Sequence, residues 1–221
     1  MKRNTQQAIV DEFIDEVERS SLSQVRIASI IEKLSLNRNT FYYHYSSKFE
    51  VALWVLQRNL DEYLRAAFSE HELVLMSPAA KSSSHQPIAY YAHVETGART
   101  LDCSKFLKTF VCCTLNKKQF FRKLFAPQEL EFRQCLVNLY VPAIENDILF
   151  ILDGRYMPDE TRHMLALMGS RYLISTVGFC LESSEPEVLL DDKSNPFWNI
   201  LHESLYTAIQ SHPINRYAAR S

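Results

Sequence analysis

The chain has 221 residues, of which 47% are apolar and 12% aromatic, and a formal net charge of −2; it can bury a sizeable core, and its charge argues against a broadly basic coat for nucleic acid. Only 4 glycines, set among long helix-period patterns, point to an all-α protein. Polar Asn4 to Gln7 follow the basic Met1-Lys2-Arg3, and no purely aliphatic or aromatic run, Ile148 to Leu152 included, exceeds six residues, far short of the roughly 20 residues a membrane span needs, so a cytoplasmic protein without membrane contact is expected.

The first helix carries Asp11, Glu12, Asp15, Glu16 and Glu18. Residues 21 to 48 then hold Arg26, Lys33, Arg38 and Lys48 against Glu32 alone, a local positive face on an acidic body. Ile27, Ile30, Ile31 and Leu34 recur at helical spacing, leaving Glu32 and Lys33 wet. Ser35 and Leu36 break the pattern with a tight turn. Asn37, a preferred N-cap, then starts a second short helix whose first turn is Arg38, Asn39 and Thr40.

Two crossing helices with such a turn read as a helix-turn-helix. There the N-terminal residues of the second helix meet base edges, and Arg and Asn pair bidentately with guanine and adenine. Thr40 offers a hydroxyl and a methyl, while Phe41 and Tyr45, four apart, plug the helix into the core. Ser47-Lys48-Phe49-Glu50 has capping-box spacing, so a third helix starts there, with Lys48 and free backbone N–H groups as a phosphate clamp.

The run Thr40-Phe41-Tyr42-Tyr43-His44-Tyr45, followed by Ser47-Lys48, resembles the signature of the tetracycline-repressor (TetR) family of bacterial one-component regulators: Thr, an aliphatic residue or Phe, Tyr, any residue, His or Asn, an aromatic, then Lys three residues on. The resemblance covers about the first 65 residues. It implies that Arg38, Asn39, Thr40 and Tyr43 face the major groove, beside the capping Asn37, and that Arg26, Tyr42, His44 and Lys48 hold phosphates. Two departures stand out. Leu34-Ser35 replaces the usual Ala-Gly, so Ser35 has to carry a positive φ that Gly takes more easily, and Arg26 stands where Thr or Ser is usual.

Beyond the motif, a helix from Ser47 to about Met76 would connect reader to body. Ser77 to Pro87 is a polar, proline-bounded loop. Helical stretches follow near 88–95, 103–115, 117–125 and 128–152, the last kinked at Pro142, then 158–182 and 195–211, separated by the linker Ser183 to Ser194. The expected domains are thus a helix-turn-helix reader, 1–46, and a helical effector-binding and dimerisation body, 47–221.

Within the body, Phe106, Phe110, Tyr140, Met164, Met168 and Tyr172 are candidate lining for an effector pocket, although aromatics and Met at helical spacing are commonly core. The helix 158–182 is apolar on most of its circumference. Leu165, Gly169, Thr176 and Phe179 on it, with Trp198, Leu201 and Leu205 on the last helix, form a candidate two-fold interface, and the resemblance implies dimerisation through these last two helices. Glu70-His71-Glu72 lie too close in sequence to converge on one ion. Cys103, Cys112, Cys113, Cys135 and Cys180 are scattered without CxxC spacing, as reduced thiols would be, so no metal or cofactor is expected.

No Ser-His-Asp elbow, phosphate loop or HExxH is present, so no enzymatic activity is expected. The expectation is a homodimeric, ligand-responsive repressor whose partners are palindromic double-stranded operator DNA, a second copy of itself and a small-molecule effector. The alternative is an activator, coactivator or protein-binding adaptor without its own small ligand.

Overall fold

A computed structural model describes residues 5–76, 87–186, 190–191 and 199–211. The N-terminal unit consists of α1 (Thr5–Arg19), α2 (Ile27–Lys33) and α3 (Arg38–His44), followed by the connecting helix α4 (Lys48–Ala67). Ile9, Phe13, Val17, Ile30, Phe41 and Tyr45 are buried between them. The turn after α2 is made by Ser35 at φ 51°, so a serine does pay the small backbone cost that the missing glycine leaves. Asn37 caps α3 by accepting the Asn39 N–H at 2.9 Å, and Ser47 caps α4 by accepting the Glu50 N–H at 3.2 Å. The Glu50 carboxylate turns back onto Ser46, one residue short of the usual capping-box partner.

The connecting helix is shorter than its sequence pattern suggests. After Ala67 the chain makes a single 3-10 turn, Glu70–Glu72, and then strand β1 (Leu73–Met76), which pairs antiparallel with β2 (Ile88–Ala92). A second antiparallel pair joins β3 (Val94–Gly97) to β4 (Thr100–Asp102). The protein is therefore mostly helical, roughly as the all-α expectation has it, with two short antiparallel strand pairs added, and both 73–76 and 88–95 depart from the helical expectation. Runs this short and apolar fit strand and helix equally by periodicity, and Val74, Ile88, Tyr90 and Tyr91 tip the balance toward extended chain. Asp61 on α4 fixes β2 in place by accepting the Ala89 N–H at 2.7 Å, while Arg65 donates to the Pro87 carbonyl at 2.7 Å.

The body continues with α5 (Ser104–Leu115), α6 (Lys118–Leu124), α7 (Leu130–Leu152), α8 (Asp159–Glu182) and α9 (Ile200–Ser211). By length and apolarity α7 and α8 could cross a bilayer, but much of that apolar surface is spent on packing against each other and against the rest of the body. Helix α7 runs through Pro142 without interruption. Pro142 and Asn138 are both exposed, so water can satisfy the carbonyl that the proline leaves without a donor. Asp153 and Gly154, both at positive φ, end α7. The expected loop 77–87 lies outside the described residues apart from Pro87, as do Trp198 and parts of the linker 183–194.

The hydrophobic core is continuous from Ile9 in α1 to Ile209 in α9. Phe13 meets Phe120 of α6 edge-on at 6.2 Å. The α1–α2 loop is held from three directions. Lys123 of α6 donates to the carbonyls of Glu18 and Ser20, both at 2.7 Å. The buried Glu129, at the start of α7, accepts from the Ser23 N–H and hydroxyl, both at 3.1 Å. Lys48 of α4 donates to the carbonyls of Leu22, Ser23 and Val25 at 2.8, 2.9 and 3.3 Å.

Candidate nucleic-acid interface and a buried polar cluster

Helix α3 is anchored from behind and open in front. Phe41 and Tyr45 are buried, 6.2 Å apart between ring centroids, and Tyr45 packs edge-on against Trp54 of α4 at 6.3 Å. On the outer side Arg38 and Asn39 are exposed, Thr40, Tyr42 and His44 are partly so, and Tyr43 is 72% exposed. The Arg38 guanidinium sits 5.5 Å over the Tyr42 ring, and Tyr43 meets His44 edge-on at 5.1 Å. The exposed Arg26 lies at the N-cap of α2. The residues read as base-facing therefore share one exposed surface on a helix whose own position is fixed by packing.

Two lysines leave that surface. Lys33 bridges Glu12, at 2.9 Å, and Glu16 of α1, so it neutralises acid on α1 and its charge does not add to the positive face. Lys48, expected at a phosphate, spends its three N–H groups on the loop carbonyls described above. Of the four cations in residues 21–48, Arg26 and Arg38 remain exposed without an acidic partner of this kind among the described residues.

The six residues expected around an effector do not converge. Phe106, Phe110 and Tyr140 are buried in an aromatic core with Tyr90, Tyr91 and Phe125, at centroid distances of 4.6 to 6.3 Å. Met164 and Met168 instead face outward, 52% and 55% exposed, because the opposite side of α8 carries Ala166, Ser170, Leu173 and Val177 into the core. Tyr172 lies at the surface edge and borders, with Phe106, a cavity of about 30 Å³. That volume holds a water or an ion and is far from the several hundred Å³ typical of organic-ligand sites.

The residues expected at a two-fold interface also divide. Gly169 is buried within the chain, where a Cβ would meet Leu201 at 2.6 Å and Ile144 at 3.2 Å; its small size serves the packing of α8 on α9 and α7. Leu165, Leu201 and Leu205 line a groove of about 220 Å³ among α7, α8 and α9. The partly buried Thr176 returns its hydroxyl to the Tyr172 carbonyl. Phe179 is exposed, and with Met164, Met168 and Tyr172 it makes an outward apolar stripe on α8.

The sequence reading missed a buried polar cluster. Asp147 in α7 is 1% exposed, and its Oδ2 accepts from the Tyr91 hydroxyl at 2.6 Å and from His202 Nε2 of α9 at 2.9 Å. Its Oδ1 lies 2.8 Å from His93 Nδ1, close but off the hydrogen-bond axis. The Cys103 sulfur is 3.0 Å from the Tyr91 oxygen, 3.4 Å from His202 Nε2 and 3.9 Å from Asp147 Oδ2. Asn199, at the start of α9, accepts the Cys103 N–H and donates to the Leu101 carbonyl, both at 3.0 Å.

Burial alone would raise the Asp147 carboxyl, but the bond from His202 and the close approach of the His93 ring outweigh it and hold the group below 3.8. The contact with Asp147 raises His93 above 6.5 against the effect of burial, and burial pushes the Cys103 thiol well up. The available signal was Asp147, one of two carboxylates with Glu145 in the otherwise largely apolar run 143–152. Of the other thiols, Cys113 is buried and pushed up to about 12 by that burial, whereas its neighbour Cys112 is exposed. Glu72 is drawn below its ordinary value by hydrogen bonds from the Ser69 hydroxyl and N–H, as the cap of its 3-10 turn.

No family model matches the chain, and no curated protein matches it either. Among solved structures it is similar to one described as the dihydroxyacetone kinase operon activator DhaS, at a TM-score of 0.48 and 12% identity over 94% of this chain and 97% of that one. A likeness of that size leaves family and activity to be argued from the residues themselves.

Proposed function

We propose that the protein is a DNA-binding transcriptional regulator that reads duplex DNA with α3 and acts as a homodimer in the cytoplasm. The observation that carries this reading is the set of exposed Arg38, Asn39 and Tyr43 with the partly exposed Thr40 on a capped seven-residue helix, locked by Phe41 and Tyr45 behind a turn at Ser35. Arg and Asn at the start of a recognition helix supply bidentate contacts to guanine and adenine, and Arg26 and His44 stand at the rim for phosphates. The apolar stripe of Met164, Met168, Tyr172 and Phe179 on α8 supports dimerisation, with two readers then spaced for half-sites about 34 Å apart. Repression is the simplest mode, since a dimer on an operator blocks access to it.

A second reading, an activator or adaptor without an organic effector, is favoured by the body: among the described residues the aromatic core is filled, and its cavity beside Tyr172 is about 30 Å³. A cysteine hydrolase fits poorly. Cys103 and Asp147 both approach the same ring nitrogen of His202, whereas a relay needs the acid on one nitrogen and the nucleophile on the other.

Selection of random duplex DNA by the purified protein, with retesting at two salt concentrations, tests the proposal. An inverted repeat bound in a salt-dependent way is the expected result. Absence of any enriched sequence under reducing conditions would overturn the DNA reading and favour the adaptor.

A further inference from the structure

We propose that Cys103, Asp147 and His202 form a binding site for a divalent transition-metal ion of the zinc class. These donors come from the start of α5, from α7 and from α9, and each residue is more than nine-tenths buried. Their sulfur, carboxylate oxygen Oδ2 and ring nitrogen Nε2 are separated by 3.4, 3.9 and 2.9 Å. A triangle of that size contains a point about 2.0 Å from all three corners, and zinc needs about 2.3 Å to sulfur, 2.0–2.1 Å to nitrogen and 2.0–2.2 Å to oxygen. Ideal tetrahedral spacing between such donors is about 3.4–3.6 Å, so shifts of a few tenths of an ångström complete the geometry.

Donor chemistry and charge agree with that geometry. One sulfur, one imidazole and one carboxylate suit zinc, cobalt(II) or nickel(II), and not magnesium or calcium, which prefer all-oxygen shells. Thiolate and carboxylate together carry two negative charges, so a divalent ion with neutral His202 leaves the buried site uncharged. Binding breaks the Cys103 S–H bond, forms the sulfur–metal bond and releases that proton to solvent, while the His202 ring proton moves from Nε2 to Nδ1 through water so that Nε2 can bond the metal. The cavity of about 30 Å³ bordered by Tyr91, Cys103 and His202 leaves room for water as a fourth ligand.

Outer contacts are also in place. His93 lies 2.8 Å from the second Asp147 oxygen, and Asn199 holds the Cys103 backbone to the start of α9. Such partners orient first-shell ligands. An ion here would tie α9 to α5 and α7. The proposal does not depend on the DNA reading: a protein that binds metal and no DNA retains the site.

The test uses the full-length protein, stripped by chelator and titrated with Co²⁺ under reducing conditions, then with Zn²⁺ as competitor. We expect one equivalent of Co²⁺ to give visible tetrahedral bands with a sulfur-to-metal charge-transfer band, both erased by Zn²⁺. Cys103→Ser should abolish the charge-transfer band, and His202→Gln should weaken binding at least about 100-fold, while His93→Ala should weaken it about 10-fold. Cys112→Ser and Cys135→Ser should change nothing.

Should Cys103→Ser fail to fold, X-ray absorption of the Zn²⁺-loaded wild type decides, with one sulfur in the first shell expected. No cobalt band at stoichiometric metal, a band that survives in Cys103→Ser, or a first shell without sulfur would each overturn the site.

Discussion

Lys48 offers the sharpest discrimination between a residue that contacts DNA and one that holds the fold. Lys48→Met keeps the aliphatic stem and removes the ammonium, so the carbonyls of Leu22, Ser23 and Val25 lose their donors. Hydrogen bonds to a charged group are worth about 1.5–3 kcal/mol each when intact. Lys48 is partly exposed and water can reach the Ser23 carbonyl, so the three bonds together should amount to about 2 kcal/mol, with a few tenths more from the contact with the Phe49 ring at 5.6 Å. In a chain of this size that corresponds to a fall in Tm of roughly 4–8 °C. Urea unfolding followed by circular dichroism should show a lower midpoint with an unchanged slope. The phosphate-clamp alternative predicts unchanged stability and a salt dependence of DNA binding flatter by about one unit. A stability change below about 0.5 kcal/mol would refute the structural role assigned to this lysine.

Three other outcomes follow from the same geometry. Arg38→Ala should cost about 1–3 kcal/mol of DNA affinity and relax discrimination at one base position, measured by competition among operator variants, with stability unchanged. Met168→Glu combined with Phe179→Glu, both at exposed positions, should leave the fold intact and shift sedimentation velocity toward the monomer; an undiminished dimer would place the interface elsewhere.

The third outcome concerns pH. His93 is raised above 6.5 chiefly by Asp147, so its contribution is full below about pH 6.5 and lost as pH rises through the folded-state value. Asp147 is opposed by burial but held below 3.8 by His202 and His93, so its contribution is full above about pH 4 and lost in acid. Urea midpoints of the metal-free protein should therefore decline on both sides of a window between about pH 4 and 6.5, and Asp147→Asn should flatten the alkaline decline.

The N-terminal helices and their caps were legible because their signals are local. Asn37, Ser47 and the turn at Ser35 each act on backbone within a few residues, and Phe41 and Tyr45 declare a buried face by spacing alone. Strand β1 was not legible, because four apolar residues after a helix fit either period until a partner strand is known. Lys33 and Lys48 look alike in sequence to any phosphate-binding lysine; what removes them are Glu12 and Glu16 in α1 and three carbonyls in a loop about two dozen residues upstream of Lys48. Met164 and Met168 belong to a helix apolar nearly all round, so periodicity could not say which side faces out. Cys103, Asp147 and His202 are 44 and 55 residues apart along the chain, and no spacing rule brings them together.

The triple hold on the α1–α2 loop bears on how the N-terminal helices can be re-engineered. A graft of residues 1–46 onto a foreign body would arrive without Lys48, Lys123 and Glu129, leaving the Glu18, Ser20, Leu22, Ser23 and Val25 carbonyls and the Ser23 N–H and hydroxyl without these protein partners. A chimera that carries those three side chains with residues 1–46 should keep the fold of these helices, and one cut at the apparent boundary should not.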